Sequence, residues 1–421
     1  MDGDEPRPGD VFRLPGYLAF WSAETVSQFG TYVTTLALQV LVVITLKGSA
    51  TDVGLLNAAR WLPYLVLGLV LGAWVDRRRR KPIMVATDLG RAVLLGAIPG
   101  LWSIGLLTLP LLMAFVATFG VLTLLNDAAS QSFVPRLVPR PSLVAANARL
   151  DQGAAVAQTS GPAIAGALVT ALSAPLAVLV DAVSYLISAL VVWRIPIVEP
   201  KPEQTGHRLD LRREIGEGLS FVYRHPMLAP FALGTHGWFL FNSMLVTVFV
   251  PFTLLELKLS AFEMGVALAA AGVTGLLGSF LARPLGMAWG AGRTVIVCRA
   301  LMPFAWAVIA LAPAAGGPAT LAALALGQGL YGLGMGAQNA NEMGYRQAVT
   351  PDALQGRMNT TMRSLNRAMI VVGAPIGGWL ADHIGYRPTL WIAIGGFVLA
   401  VLYLAASPFR DARHGDSADK F

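Results

Sequence analysis

The stretch LKGSATDVG at Leu46–Gly54 returns as LKLSAFEMG at Leu257–Gly265, 211 residues further on. Near the same offset, half the 421-residue chain, VPRPSLVAANARL (from Val138) meets VTPDALQGRMNTT (from Val349). Asn147 meets Asn359 after one inserted residue, and GPAIAG (Gly161–Gly166) meets APIGGW around Pro375. Several matches near one offset, in connecting segments as well as apolar ones, make chance a poor explanation. One unit of about half the chain therefore occurs twice.

The composition says what medium the unit is built for. Fifty-five per cent of the residues are hydrophobic and 13% are charged, about half the charge of a soluble domain. A soluble enzyme and a disordered chain, which needs low hydrophobicity and high charge, are both excluded. A membrane span takes about 20 apolar residues. Gly, Pro and charge punctuation divides the chain into twelve such segments: 17–46, 53–75, 83–107, 109–135, 143–172, 175–193, 227–255, 264–285, 294–312, 320–344, 358–380 and 390–406. Lys and Arg outside these segments or near their ends split 27 to 3 between the two sides, with Arg60 inside a span. That asymmetry puts both termini and the middle loop in the cytoplasm. It also assigns the net charge of +7 to topology rather than to nucleic-acid binding. Residues 1–16 are polar and acidic, which is not a secretory signal. The expected organisation is a tail (1–16), a six-helix bundle (17–193), a linker (194–226), a second six-helix bundle (227–406) and a tail (407–421). Within the linker, Leu211, Ile215, Leu219 and Val222 recur at helical spacing, predicting an amphipathic helix on the cytoplasmic face.

Two short segments identify a family. Gly72-Ala-Trp-Val-Asp76-Arg77-Arg-Arg-Arg80-Lys-Pro82 resembles the cytoplasmic loop signature of major facilitator transporters, with Arg79 where that family usually has Gly. Gly72 would let helices approach, Asp76 would meet a helix N-terminus or an Arg, and Arg77 and Arg80 would sit at lipid phosphates, together acting as a gate latch. Ala157-x-x-x-Gly161-Pro162-Ala-Ile-Ala-Gly166 resembles the family's antiporter signature, with Ala at two Gly positions. Its small residues permit close helix contact, and Pro162 can bend the helix. The resemblance implies an all-α polytopic membrane protein of twelve transmembrane helices in the major facilitator fold. The segments Glu217–Leu228, Pro135–Ala148 and Gly72–Arg91 look like its drug-export branch, which includes macrolide efflux proteins and the enterobactin exporter. The function implied is export of a small amphipathic molecule by proton antiport, from the inner membrane of a bacterium. On the same fold, a siderophore exporter or a lysophospholipid flippase is the alternative; a membrane-embedded transferase is a remote one. The partners implied are a small-molecule substrate, protons and membrane lipids, without nucleic acid, for a chain acting as a monomer.

Polar faces inside the spans nominate the site. Glu24, Gln28, Thr31, Thr35 and Gln39 lie on one face of the first helix. An ionisable residue within a span marks a proton or substrate path, so Glu24 leads the proton-coupling candidates, followed by Asp127 and Glu342. The alternative for the last two is pairing with nearby Arg136 or Arg346. The resemblance makes spans one, four, seven and ten the lining of the pathway. Cavity candidates are therefore Gln28, Thr31, Thr35 and Gln39; Asn126 beside Ser130 and Gln131; Trp238, Phe239 and Asn242; and Tyr331, Met335, Gln338 and Asn341. Aromatics, Met and amides together suit a bulky, partly apolar ligand. Arg60 can pair with an anion or, as the favoured reading, with Asp52 near the outer surface, and Asp88 is expected to pair with Arg91. Asp181 and His236 are expected to pack or to hydrogen-bond between helices.

Other chemistry is not encoded. Gly327-x-Gly-x-x-Gly332 has no strand before it, so it reads as helix packing. No P-loop or H-E-x-x-H motif occurs, and the single cysteine, Cys298, excludes an internal disulfide. Neither an enzyme activity, a cofactor nor a metal is expected.

Overall fold

The computed structural model describes residues 11–197, 199, 211–314 and 316–416. The start of the N-terminal tail with Arg7, most of the linker and Lys420 lie outside the described residues, as does the side chain of Asp76. The described chain is thirteen α-helices with short connections. The first six are α1 (Tyr17–Val40), α2 (Ala50–Asp76), α3 (Arg80–Ser103), α4 (Leu109–Leu137), α5 (Leu143–Leu172) and α6 (Ala174–Arg194). A separate helix α7 (Leu211–Arg224) precedes α8 (Leu228–Pro251), α9 (Ala261–Trp289), α10 (Ala291–Ala310), α11 (Pro318–Ala348), α12 (Asp352–Ile384) and α13 (Tyr386–Ala406). The twelve long helices coincide with the twelve expected segments to within a few residues.

Nine of the twelve are long and apolar enough to cross a membrane. Of the other three, α11 and α12 carry amides and charges along their length, such as Asn339 and Arg367, and α2 includes residues whose side chains lie outside the described set. Val66, Val93, Trp193, Phe280 and Leu399 are more than half exposed on the outside of the bundle. Water would not tolerate so much continuous apolar surface; lipid favours it.

The repeat is visible as geometry. In the first half α1 packs on α5 and α6, α2 on α4, and α3 on α4 and α6. In the second half α8 packs on α12 and α13, α9 on α11, and α10 on α11 and α13, the same pairings one unit later. Both copies of the quoted stretch adopt one local structure. A π-helical turn (Leu41–Thr45 or Phe252–Glu256) leads to a lysine with positive φ, Lys47 at 51° or Lys258 at 57°. A capping box then starts the next helix, Ser49 with Asp52 or Ser260 with Glu263. Each box satisfies two helix-end N–H groups, so the helix start is set by these residues.

The glycines closing the two stretches explain the motif. A Cβ on Gly54 would lie 2.4 Å from the Ala374 carbonyl oxygen, and one on Gly265 would lie 2.4 Å from that of Pro162. Gly378 meets Ala50, and Gly166 meets Ala261, in the same way. The halves therefore touch along two related seams, α2 with α12 and α5 with α9, where backbones approach too closely for any side chain. The close approaches lie in the half of each helix away from the chain termini. Asp382, at the far end of α12, adds a cap: its carboxylate accepts the N–H groups of Ala50 and Thr51, each at 2.9 Å, and the Thr51 hydroxyl. The far end is thus sealed.

The terminal end is less tightly joined. α7 is held to α12 by the Glu217–Arg357 pair at 2.7 Å, with Gly218 against Thr361. Glu199 caps the start of α3, accepting the N–H groups of Arg80 and Lys81, each at 3.1 Å. The close packing expected at Gly72 is not found. A Cβ there would meet nothing within 4 Å, because this stretch of α2 has no helix against that face.

Candidate functional site

Three neighbouring cavities with shared lining residues lie in the interior. The largest, of about 550 Å³, lies between α5, α8, α9, α10 and α11. The second, about 380 Å³, lies between α1, α2, α8 and α12 and shares Tyr32 and Val246 with the first. The third, about 290 Å³, lies between α1, α4 and α5 and shares Gln28 with the second. Exposed Gln158, Asn339 and Ala340 line the first cavity, which opens toward the terminal end.

The polar face of α1 points into this system. Gln28, Thr31, Thr35 and Gln39 line the second cavity together with Phe239 and Asn242 of α8, and Tyr331 and Met335 of α11 line the first. Tyr331 donates its hydroxyl to Asn242 Oδ1 at 2.9 Å, bridging the two helices. Four expected lining residues turn elsewhere. Asn126 is buried and gives its amide to Thr87 at 2.9 Å and Asp88 at 3.1 Å. Trp238 stacks on Phe397 and donates to Met302 Sδ. Gln338 is only 2% exposed, and Asn341 ties α11 to the Ala282 carbonyl of α9. Their positions on one helix face point toward neighbouring helices as much as toward the cavity.

The third cavity brings Glu24 and Asp127 together. The Ser130 hydroxyl donates to Glu24 Oε1 at 3.0 Å. The Tyr64 hydroxyl donates to Asp127 Oδ2 at 2.8 Å, and no arginine pairs with Asp127 in the way expected of Arg136. Gln131 and Asp151 complete the lining. Behind it lies a fully buried cluster that the expected Asp88–Arg91 pair anchors. Asp88 also accepts from Ser188 at 2.7 Å, and the Arg91 guanidinium lies 4.1 Å from the Tyr185 ring centre. Asp181 accepts from Thr34 and Ser184.

The second half holds fewer acids. Arg299 of α10 is 3% exposed and pairs with Glu342 at 3.1 Å and with the Thr235 hydroxyl at 3.0 Å. Glu342 is thus held mainly by Arg299; the expected Arg346 is farther, at 3.9 Å. His236 lies between Tyr223 and Asn366, each at 2.7 Å.

Counting arginines by side missed several of these groups. Arg299 and Arg367, two of the 27 basic residues counted to one side, lie well inside their helices; Arg367 is fifteen residues into α12, about 23 Å at 1.5 Å per residue. There Arg367 stacks on Tyr64, 4.3 Å from its ring centre, across the boundary between the halves. Arg60 does not reach Asp52, which is used in the capping box. It donates to Thr35 Oγ1 at 2.7 Å and faces the second cavity. The helical spacing of Arg60 behind Asn57 on α2 was the one available signal.

A twelve-helix duplicated bundle with a polar cleft between its halves defines a membrane transporter. The model of the family described as transmembrane secretion effector matches residues 9–421, and the chain belongs to that family of major facilitator transporters. It is similar to the uncharacterised MFS-type transporter YfiS of Bacillus subtilis, 27% identical over 51% of this chain and 50% of that one. It is 25% identical to macrolide efflux protein A of Streptococcus pyogenes, over 53% of this chain and 56% of that one. These two matches span about half of the relatives' length. The match to the multidrug efflux pump Tap of Mycolicibacterium fortuitum, 26% identical, spans 82% of this chain and 84% of Tap. Among solved structures, a bacterial homologue of the iron transporter ferroportin in its inward-facing state superposes with TM-score 0.73 at 14% identity, covering 93% and 98% of the two chains. The nucleoside transporter NupG does so with the same TM-score at 12% identity and the same coverage. At such identity these structures speak for the fold alone.

Proposed function

We propose that this transporter exports a small amphipathic molecule, drug-like or a natural product, in exchange for protons. One observation carries the reading: the cavity between the halves is closed at the far end and adjoins the pocket holding Glu24 and Asp127. Cargo and proton sites thus share Gln28 as a common wall. In this reading the terminal end faces the cytoplasm of a bacterium, as the arginine asymmetry requires, and the model is the state that loads cargo from inside. Residues 17–193 rock against 227–406 as two bodies joined by the 194–226 linker. Gly161, packed on Tyr32, and Gly166 with Pro162, packed on α9, form the hinge seam. Asp76, Arg77 and Arg80 act as the cytoplasmic latch when that end closes. Glu24 and Asp127 take and release the proton, while Glu342 in its ion pair sets the second half's share of the coupling. Each tenfold preference that a proton imposes between the two states is worth about 1.4 kcal/mol. The chain works as a monomer within its lipids. The macrolide and multidrug pumps among its relatives support export over uptake.

The test is uptake into inverted membrane vesicles across a panel of amphipathic compounds, with and without a protonophore. Accumulation that collapses with the protonophore supports the proposal. Transport that ignores the proton gradient overturns the antiport.

A further inference from the structure

Resting on the export reading, the charge distribution inside the cavity narrows the substrate class. The first cavity has no charged side chain in its lining, and the second has one, Arg60. Thr35 occupies one N–H of the five that its guanidinium carries. No carboxylate lies within ion-pair reach of Arg60 among the described residues. Asp127 is engaged by Tyr64, and Asp181 by Thr34 and Ser184. Arg60 is a cation that lines a cavity and makes no direct ion pair among the described residues, next to the ring of Trp61. Two other interior arginines are paired: Arg91 with Asp88 and Arg299 with Glu342. A guanidinium without an ion pair that lines a cavity suits an anion, and its planar fork matches an oxyanion. Asn242 lies in the same lining with its Oδ1 occupied by Tyr331, which leaves its NH2 group as the free donor.

We infer that Arg60 is the substrate's anion-binding residue, and that the cargo is an amphiphile with one oxyanion group, a carboxylate, sulfonate or phosphate, on an apolar or aromatic body. The oxyanion sits in the second cavity, accepting from Arg60 and Asn242, toward the sealed end. The body extends into the first cavity against Phe249, Leu268, Trp306 and Met335. A cationic amphiphile would meet the like charge of Arg60 and leave it without an ion pair, so the site selects against positive charge.

Equilibrium binding tests this apart from transport. The full chain is placed in lipid nanodiscs, with empty nanodiscs subtracted. The probes are 1-anilinonaphthalene-8-sulfonate, its uncharged parent N-phenyl-1-naphthylamine, and rhodamine 6G as a cation. Wild type is expected to bind the sulfonate at least tenfold tighter than rhodamine 6G. R60Q should weaken sulfonate binding about tenfold and leave the uncharged parent within twofold, while R60K restores part of the loss. Unchanged binding of the uncharged parent also shows that R60Q is folded. Equal affinity of wild type and R60Q for the sulfonate, or preference of wild type for the cation, overturns the inference. Displacement by dodecanoate against displacement by a lysophosphatidate tells a free acid from a lipid headgroup. Arg60-dependent binding without any vesicle transport would refute export and leave the anion site standing. Protonophore-sensitive transport of rhodamine 6G by both proteins would do the reverse.

Discussion

The two halves of this transporter share a scaffold and differ in charge. Their helix pairings, π-turns, capping boxes and seam glycines correspond one to one. The ionisable interior does not. The first half buries or half-buries Glu24, Asp88 and Asp181 around Arg91, with Asp127 exposed in the pocket beside Glu24. The second sets Glu342 against Arg299, with Arg367 reaching across to Tyr64. Duplication thus preserved what holds helices together, which is local and repeated, and left free the groups that can bind protons. In the proposed antiport, the first half would carry most of the proton response and the second, through Glu342, a smaller share.

The sharpest way to break this contrast is to neutralise each half in turn. Glu24→Gln should abolish efflux driven by a pH gradient in inverted vesicles while expression holds; full transport would remove Glu24 from the coupling. Glu342→Gln should instead act on stability, because it strands Arg299 in the interior. A loss of about 3–5 kcal/mol is expected, read as a fall in thermal midpoint. If the two variants behaved alike, the halves would not be divided in this way.

The seams test the symmetry itself. Gly54→Val and Gly265→Val should each prevent closure of the far end and to a similar degree, since each Cβ would strike a carbonyl oxygen at 2.4 Å. Labelling of Lys258→Cys on a Cys298→Ser background would rise in both; a rise in only one would show that the seams are not equivalent. Asp382→Asn removes a charge-assisted cap from α2 and should shift the population toward opening at that end by about 1–2 kcal/mol, roughly five- to thirtyfold. The same labelling reads it, and unchanged labelling would deny the cap a part in the seal. The smallest effect is expected at Ser173, the single residue between α5 and α6, held at φ 74° and ψ 158°. Its counterpart after α12 is Gly385, at φ 90°. This region of backbone suits glycine, so Ser173→Gly should stabilise by about 1 kcal/mol and raise Tm by about 2 °C. A lower midpoint would mean that the serine is not strained.

Much of this was legible beforehand because membranes impose simple rules. Span length and apolarity located α1 to α6 and α8 to α13, and the 211-residue self-match announced two copies. The stripe from Glu24 to Gln39 named the cavity face of α1, since lipid would not accept it. Periodicity could say which side chains share a face, but not which neighbour the face meets. Asn126 and Asn341 therefore read like cavity residues, although they bond to Asp88 and to Ala282. Arginine counting treats every basic residue near a helix end as a marker of sidedness, which hid Arg299 and Arg367.

The helices, their order and the existence of a twofold plan follow from the chain alone, because hydrophobic length and helix capping act over neighbouring residues. The pairing of Tyr64 with Asp127, the cap that Asp382 places on α2 and the solitary position of Arg60 arise only in the folded molecule. Each depends on groups brought together from distant parts of the chain, and desolvation there decides which charges must find a partner.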